Sequence, residues 1–69
     1  MNLSARNQLP GVVTSITQGA VNSEVVVEVA PNVEITAVIT KSSAERLGLG
    51  IGSKVYAVVK ASNVMVATD

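Results

Sequence analysis

Three short segments of the chain are rich in groups that donate hydrogen bonds. Residues 4–8 bring a hydroxyl, a guanidinium and two amides together around Ala5, whose small side chain leaves room for a ligand to reach the backbone. Residues 60–63 combine a cation, a small residue, a hydroxyl and an amide. Residues 40–43 lie at the start of a predicted helix, where free N–H groups and the helix dipole favour an anion. Each segment also has an ordinary interpretation, as a turn, a strand connection or a helix cap, so none of them identifies a site alone.

The residue types that most often perform catalysis are missing or poorly arranged. The chain has no His and no Cys, so no histidine base can activate a serine and no thiolate can bind a metal. Glu24 and Glu28 would share one face of a strand, but a solvated outer face explains this pair better than acid–base chemistry. The glycine-rich residues 48–52 follow a predicted helix instead of opening one, unlike a phosphate-binding loop. We therefore predict a protein that is not an enzyme and that holds no protein-ligated metal ion.

The charge and hydropathy of the chain argue against two classes of partner. Five basic and five acidic residues give a formal net charge of zero, so there is no basic stripe for nucleic acid. Tyr56 is the only aromatic side chain on which a base could stack. No apolar run approaches the ~20 residues of a membrane span, and residues 1–6 do not have the pattern of a signal peptide. We expect no nucleic-acid partner, no membrane partner and a cytoplasmic location.

The length of the chain predicts one domain, residues 1–69, with little stability of its own. Small domains usually add disulfides, a structural metal or oligomerisation, and without Cys and His only oligomerisation remains. Hydrophobic residues make up 48% of the chain. That is much aliphatic surface for so short a chain, which suggests that part of it faces another subunit.

Turn sequences divide the chain into five predicted strands and one helix. Ser42 is a suitable N-cap, Glu45 follows three residues later as in a capping box, and Gly48 suits the C-terminal left-handed position, so residues 42–48 predict a short helix. The predicted strands alternate apolar and polar side chains or form short β-branched runs, and they are residues 12–17, 20–30, 33–40, 54–60 and 63–67. Three strands, a helix and two strands predict an all-β, five-stranded, OB-fold-like Greek-key barrel with one short helix between strands 3 and 4. An SH3-like barrel is the structural alternative.

The three donor segments, taken together, resemble those of the molybdate-binding Mop family, the molbindins. The most specific part of the resemblance is Ser-Ala-Arg-Asn-Gln-Leu at residues 4–9, followed by Gly11. Gly-Ala-Val-Asn-Ser-Glu-Val at residues 19–25 and Lys-Ala-Ser-Asn-Val-Met at residues 60–65 extend it through nearly the whole chain. The resemblance implies an OB-like fold, a hexamer arranged as a trimer of dimers, and binding of molybdate, and usually tungstate, at subunit interfaces.

Site residues are carried over from the family by position. The resemblance implies that one subunit supplies one side of a site and a neighbour supplies the other, through Thr40 and Ser43. A second class of site near a threefold axis would be lined by residues around Gly19, Ala20 and Val21. One departure is that related chains often carry a hydroxyl at the position of Ala61, where only the backbone N–H is available here. The residues on the first side are Ser4, Arg6, Lys60 and Ser62, with the backbone N–H groups of Ala5 and Ala61.

The chemistry of the implied ligand agrees with these residue types. Molybdate near neutral pH is a dianion with four acceptor oxygens, so its ideal site contains donors and a cation and no carboxylate. A site without acceptors disfavours phosphate, whose remaining proton would be left unpaired. Sulfate has the same charge as molybdate, and only the larger size of molybdate would distinguish the two.

Intracellular molybdenum storage and homeostasis is the role that fits a chain with no DNA-binding or ATPase domain. An OB-like oligomer that serves as a structural or regulatory interaction module, without an oxyanion, is the alternative. An oligonucleotide-binding OB-fold is a third interpretation, and the scarcity of aromatic side chains argues against it.

Overall fold

Four antiparallel strands and one short helix make up the fold in a computed structural model that describes residues 2–69. Met1, the first residue of the predicted domain, lies outside the described residues. None of the helices in the described part is long and apolar enough to cross a membrane. The elements in chain order are β1 (Asn7–Gln18), β2 (Asn22–Ala30), β3 (Val33–Thr40), α1 (Lys41–Arg46), β4 (Lys54–Val59) and a 3₁₀ turn (Ala61–Asn63).

The strands form one sheet in the order β3-β2-β1-β4. Three consecutive strands linked by hairpins, with a fourth that returns beside the first, are the Greek-key arrangement. β1 pairs with β4 through residues 7–12 and with β2 through residues 12–18, and its register with β2 shifts between Val13 and Ser15. Such a bulge bends a strand, so the sheet curls into a half-barrel. The predicted all-β, OB-like fold with a helix between strands 3 and 4 is confirmed.

Val13, Val25 and Val27 form the buried core on the concave side of the sheet. Alternate residues of β2 point to this side, because successive side chains in a strand face opposite ways. Gly11 is required where β1 approaches β2: a Cβ atom at this position would lie 2.6 Å from the carbonyl oxygen of Glu28 and 2.7 Å from Cγ1 of Val27. A core of small aliphatic side chains thus depends on close contact between the strands.

β1 is longer than the sequence predicted, since it begins at Asn7 and includes Pro10. A proline cannot donate to a strand ladder and is tolerated where one side of the strand is unpaired. Pro10 lies in the half of β1 that pairs only with β4, which explains why the strand continues through it. β3 has the predicted bounds, whereas β2 begins at Asn22 instead of at residue 20.

The helix begins earlier than predicted, and its N-cap is Thr40 rather than Ser42. The Thr40 Oγ1 atom accepts a hydrogen bond from the backbone N–H of Ser43 at 3.1 Å. Because Ser43 stands three residues after the cap, the predicted capping box of Ser42 and Glu45 is wrong. The predicted role of Gly48 is confirmed, as it adopts a positive φ of 64° directly after the C-cap residue Leu47.

The fifth predicted strand, residues 63–67, does not form in this chain. The chain instead makes the 3₁₀ turn, closed by bonds from Asn63 N to Lys60 O at 2.9 Å and from Val64 N to Ala61 O at 3.3 Å. Residues 64–69 then run without a regular element or a strand partner among residues 2–69. A strand needs an edge to pair with, and after the turn this segment pairs with neither edge strand of the sheet, β3 or β4.

Candidate anion-binding site

Residues from the two ends of the chain line one open cavity of about 570 Å³. The ends meet because Asn7, at the start of β1, pairs with Val59, at the end of β4. The segments immediately before β1 and after β4 therefore lie side by side, although they are far apart in the sequence. The lining residues are Ser4, Ala5, Arg6, Val58, Lys60, Ala61, Ser62 and Asn63.

The first wall of the cavity is the segment that leads into β1. The side-chain amide of Gln8 donates a hydrogen bond to the backbone oxygen of Ala5 at 2.9 Å, which holds this segment against the strand. Ala5 is half-buried, while Ser4 and Arg6 are exposed. The wall is thus a fixed stretch of backbone flanked by a hydroxyl and a guanidinium that solvent, or a ligand, can reach.

The second wall is the 3₁₀ turn that follows β4. Lys60 precedes the turn in extended conformation, with φ −63° and ψ 131°. The two bonds that close the turn are donated by Asn63 and Val64, so the N–H groups of Ala61 and Ser62 have no partner within it. Residues 60–63 therefore offer free backbone N–H donors, a hydroxyl and an ammonium group.

The chemical character of the lining is that of an anion site. Arg6 and Lys60 are the charged residues among those that line the cavity, and none of the lining residues is Asp or Glu. Hydroxyl, amide, guanidinium and ammonium groups all donate hydrogen bonds, and bonds from a cation to an anionic oxygen are the stronger ones. The cavity can therefore hold a small anion that has several acceptor oxygens.

Thr40 and Ser43, which were assigned to the same site, lie at the start of α1. The Thr40 hydroxyl donates to Ser43 Oγ at 2.8 Å, and Arg46 Nη2 donates to the same oxygen at 3.4 Å. With two donors directed at its oxygen, the Ser43 hydroxyl keeps its own proton for another acceptor. The N–H of Lys41 is used internally, in a bond to the Val21 oxygen at 2.8 Å.

The start of α1 and the cavity lie at opposite ends of the sheet. The cavity adjoins Asn7, the first residue of β1, whereas Thr40 pairs with Asn22, next to the last residues of β1. The twelve residues of β1 lie between the two places, in a molecule whose longest extent is 35 Å. One chain therefore does not bring residues 40–43 into the cavity lined by residues 4–6 and 60–63.

Gly19, Ala20 and Val21, assigned to a second class of site, form the connection between β1 and β2. The N–H of Gly19 donates to the Asn22 oxygen at 2.8 Å, while Ala20 and Val21 are exposed. A smaller cavity of about 260 Å³ adjoins this turn, and of the three residues only Gly19 lines it. Glu24 also lines it, and a carboxylate would repel an anion.

Two residues of the main cavity were not assigned from the sequence. Asn63 belongs to the donor segment 60–63, so its residue type was a signal that could have identified it. Val58 has no such chemical signal, and only its position in β4 brings it to the cavity. No group of three or more His, Cys, Asp or Glu side chains suited to a metal ion occurs among residues 2–69.

The sequence also matches a known protein family. The model of the TOBE domain matches residues 3–66, which is nearly the whole chain. The chain belongs to the TOBE-domain family. A relative, molybdenum-pterin-binding protein 2 of Clostridium pasteurianum, is 46% identical over 66 residues, which cover 96% of this chain and 97% of the relative. The resemblance to the Mop family is thereby confirmed.

The chain is also similar to part of a larger protein. The molybdenum transport protein ModE of Azotobacter vinelandii is 51% identical over all 69 residues, yet this chain spans only 26% of its length. The match therefore concerns only about a quarter of ModE.

Solved structures share the fold of this chain. A molybdate-binding protein from Sporomusa ovata superposes with a TM-score of 0.91 at 37% identity, covering 99% of this chain and all of the other. The cytoplasmic molybdate-binding protein ModG, solved with molybdate bound, gives a TM-score of 0.89 at 48% identity, covering 94% of this chain and 46% of ModG.

Proposed function

We propose that this chain binds molybdate, and tungstate as its close analogue, in the cavity formed by residues 4–6 and 60–63. The observation that carries the proposal is the lining itself: two cations, two serine hydroxyls and free backbone N–H groups, with no carboxylate. Support comes from related proteins of the same fold, among them ModG with molybdate bound.

The lining, which contains no carboxylate, also selects among oxyanions. A fully ionised molybdate ion presents four acceptor oxygens, which donors on several sides can satisfy. Phosphate keeps a proton near neutral pH, and a lining without a carboxylate gives that proton no charged acceptor. Sulfate is fully ionised as well, so its rejection depends on a cavity shaped for the larger anion. The function is retention of an ion, and no bond is made or broken.

We further propose that a neighbouring subunit completes the site. The cavity is open, and most of its lining residues are exposed, so an anion held there by one chain would keep much of its water. Thr40 and Ser43 of another copy would cover the open side with a helix start and the free proton of Ser43. The assembly that we propose is a hexamer arranged as a trimer of dimers, built from single domains of residues 1–69. Its role would be storage and homeostasis of molybdenum in the cytoplasm.

The experiment that tests this function is elemental analysis of the purified protein. Cells expressing the chain are grown with molybdate, and the protein is desalted extensively and separated by size before mass spectrometry of the eluate. We expect molybdenum to co-elute with an oligomer. An oligomer that contains no molybdenum, even after loading with molybdate in vitro, would overturn the proposal and favour an interaction module without an oxyanion.

A further inference from the structure

The first wall of the anion cavity lies outside the hydrogen-bonded sheet. The ladder between β1 and β4 begins with Asn7 and Val59, so residues 4–6 precede every strand pair. Ser4 and Arg6 are exposed, and no strand partner holds their backbone. A site keeps its ligand groups at fixed distances only if other residues support them. This segment therefore requires a support that the sheet ladder does not supply.

Gln8 supplies that support through its side chain. Its Nε2 atom donates a hydrogen bond to the Ala5 oxygen at 2.9 Å, and a backbone carbonyl only accepts, so the amide nitrogen must face it. The backbone of Gln8 lies opposite Val58 in the β1–β4 ladder, and Val58 lines the cavity. One residue thus joins the first wall to the strand pair that leads into the second wall.

The same hydrogen bond occupies an acceptor at the wall of the cavity. The hydroxyls of Ser4 and Ser62 and the amide of Asn63 can rotate to present donors to an anion, whereas a carbonyl oxygen can only accept. An unpaired carbonyl oxygen beside the cavity would repel a fully ionised anion, and it would accept the proton of an anion that still carries one. With the Gln8 amide bound to it, the oxygen of Ala5 does neither.

The bond also fixes the peptide unit between Ala5 and Arg6. The C=O and N–H of a trans peptide point in opposite directions, so the Arg6 N–H points away from the Gln8 amide. Among residues 2–69, no backbone hydrogen bond outside the strands and helices uses this N–H. It is therefore free to donate to a ligand, provided that the peptide plane does not rotate.

We propose that Gln8 is a positioning residue that sets the affinity of the cavity and its preference for molybdate over phosphate. This inference rests on the proposed function, because it concerns the same cavity. Gln8 is not among the residues that line the cavity, so it acts through Ala5 and Arg6. Without its donor, residues 4–6 lose their support, and the Ala5 oxygen becomes an acceptor for the proton of hydrogen phosphate.

The substitution Gln8→Met tests this role, because methionine has nearly the length of glutamine and offers no donor. Titration calorimetry at mildly alkaline pH, where most phosphate is a dianion with one proton, gives the Kd for molybdate, and competition gives the Kd for phosphate. We expect the Kd for molybdate to rise about fivefold, as for the loss of one hydrogen bond. The Kd for phosphate should rise less or fall, so the preference for molybdate narrows.

Thr14→Val is the matched control on the same strand. It removes a bond of the same kind, from Thr14 Oγ1 to the Val26 oxygen at 3.4 Å, at a position that does not line the cavity. Both Kd values should stay unchanged in this variant. Gln8→Glu is a second test that keeps the shape of the side chain. Because an ionised carboxylate cannot donate to the Ala5 oxygen and repels it, the Kd for molybdate should rise further than in Gln8→Met.

Backbone amide relaxation measured by NMR shows whether the effect passes through residues 4–6. In Gln8→Met, the amides of Ala5 and Arg6 should become more mobile, while those of the β1–β4 ladder keep their order parameters. A weaker affinity with unchanged mobility and unchanged preference would show that Gln8 contacts the anion itself. Increased mobility throughout the ladder would show that it supports the fold. Either result would overturn the positioning role.

The wild-type titration separates this inference from the proposed function. If the wild-type chain binds molybdate and Gln8→Met binds it with the same Kd and the same preference over phosphate, only the role of Gln8 is overturned. If the wild-type chain does not bind molybdate at all, the proposed function is overturned, and this inference with it.

Discussion

Arg6 and Lys60 show which part of the anion site can be predicted from residue types alone. Both were assigned from the sequence because a cation beside hydroxyl and amide donors has an evident chemical use. The structure places them in one cavity. This proximity depends on the pairing of β1 with β4, and residue types do not predict the register of that pairing. Val58 reaches the same cavity only through that register, so no chemical reasoning could have found it.

Removing the ammonium group of Lys60 should weaken molybdate binding. A buried anion that loses a charged donor is destabilised by about 2–5 kcal/mol, so Lys60→Ala should raise the Kd for molybdate strongly while the oligomer persists. Titration calorimetry and size-exclusion chromatography measure the two effects. Lys54→Ala is the control, since Lys54 is an exposed lysine outside the cavity. Equal affinity in both variants would show that Lys60 is only a surface residue.

The buried hydroxyl of Ser23 should have a measurable effect on the stability of the fold. Ser23 is 1% exposed, and its Oγ atom has no hydrogen-bond partner among residues 2–69. A buried polar group without a partner lowers stability, so Ser23→Ala should increase the free energy of unfolding by about 1 kcal/mol. Ser53→Ala should have the opposite sign, because Ser53 Oγ accepts a bond from Gly50 N at 3.0 Å. Denaturant unfolding compares them, and a loss of stability in Ser23→Ala would reveal a partner for this hydroxyl.

The strands and the helix were predictable to different degrees. β3 has its predicted bounds because its apolar and polar side chains alternate cleanly between two turns. The helix start was misplaced because Thr40 and Ser42 are both residue types that cap helices, and only backbone geometry decides between them. The fifth strand was predicted from a pattern that is present in residues 63–67, but a strand also has to pair, and these residues pair with neither edge strand of the sheet, β3 or β4.

Gly11 provides a test of how closely β1 and β2 must approach. Gly11→Ala would place a methyl group 2.6 Å from the Glu28 oxygen, and such overpacking should cost about 1–3 kcal/mol of stability. Gly50→Ala is the matched control, because nothing lies within 4 Å of a Cβ at that position. Thermal unfolding of both variants is the measurement. Equal melting temperatures would mean that the two strands can separate without cost.

The topology of the fold could be predicted from the sequence. The relative positions of the cavity and residues 40–43, on which any assembly depends, could not. The order of the elements indicated a Greek key, and the sheet order β3-β2-β1-β4 agrees with it. The separation of residues 40–43 from the cavity could not be predicted, since it results from β1 running the full length of the sheet.

Molybdate should stabilise the assembled protein more than sulfate does. A ligand that binds only the folded form stabilises it by mass action, by about 2.7 kcal/mol at a hundredfold excess over the Kd. We therefore expect molybdate to raise the Tm, and sulfate at equal concentration to raise it much less. Differential scanning calorimetry at constant ionic strength measures both. Equal increases would contradict selectivity for molybdate.

If a neighbouring subunit completes each cavity as proposed, the placement of the cavity and the helix start at opposite ends of β1 also sets the stoichiometry. Each copy contributes one cavity and one helix start, and neither can serve the other within the same chain. In a closed assembly, where every cavity faces a helix start, the number of such complete sites equals the number of subunits. An assembly that fails to close would instead leave one vacant half-site at each end, so the count of bound anions per subunit reports whether the ring is complete.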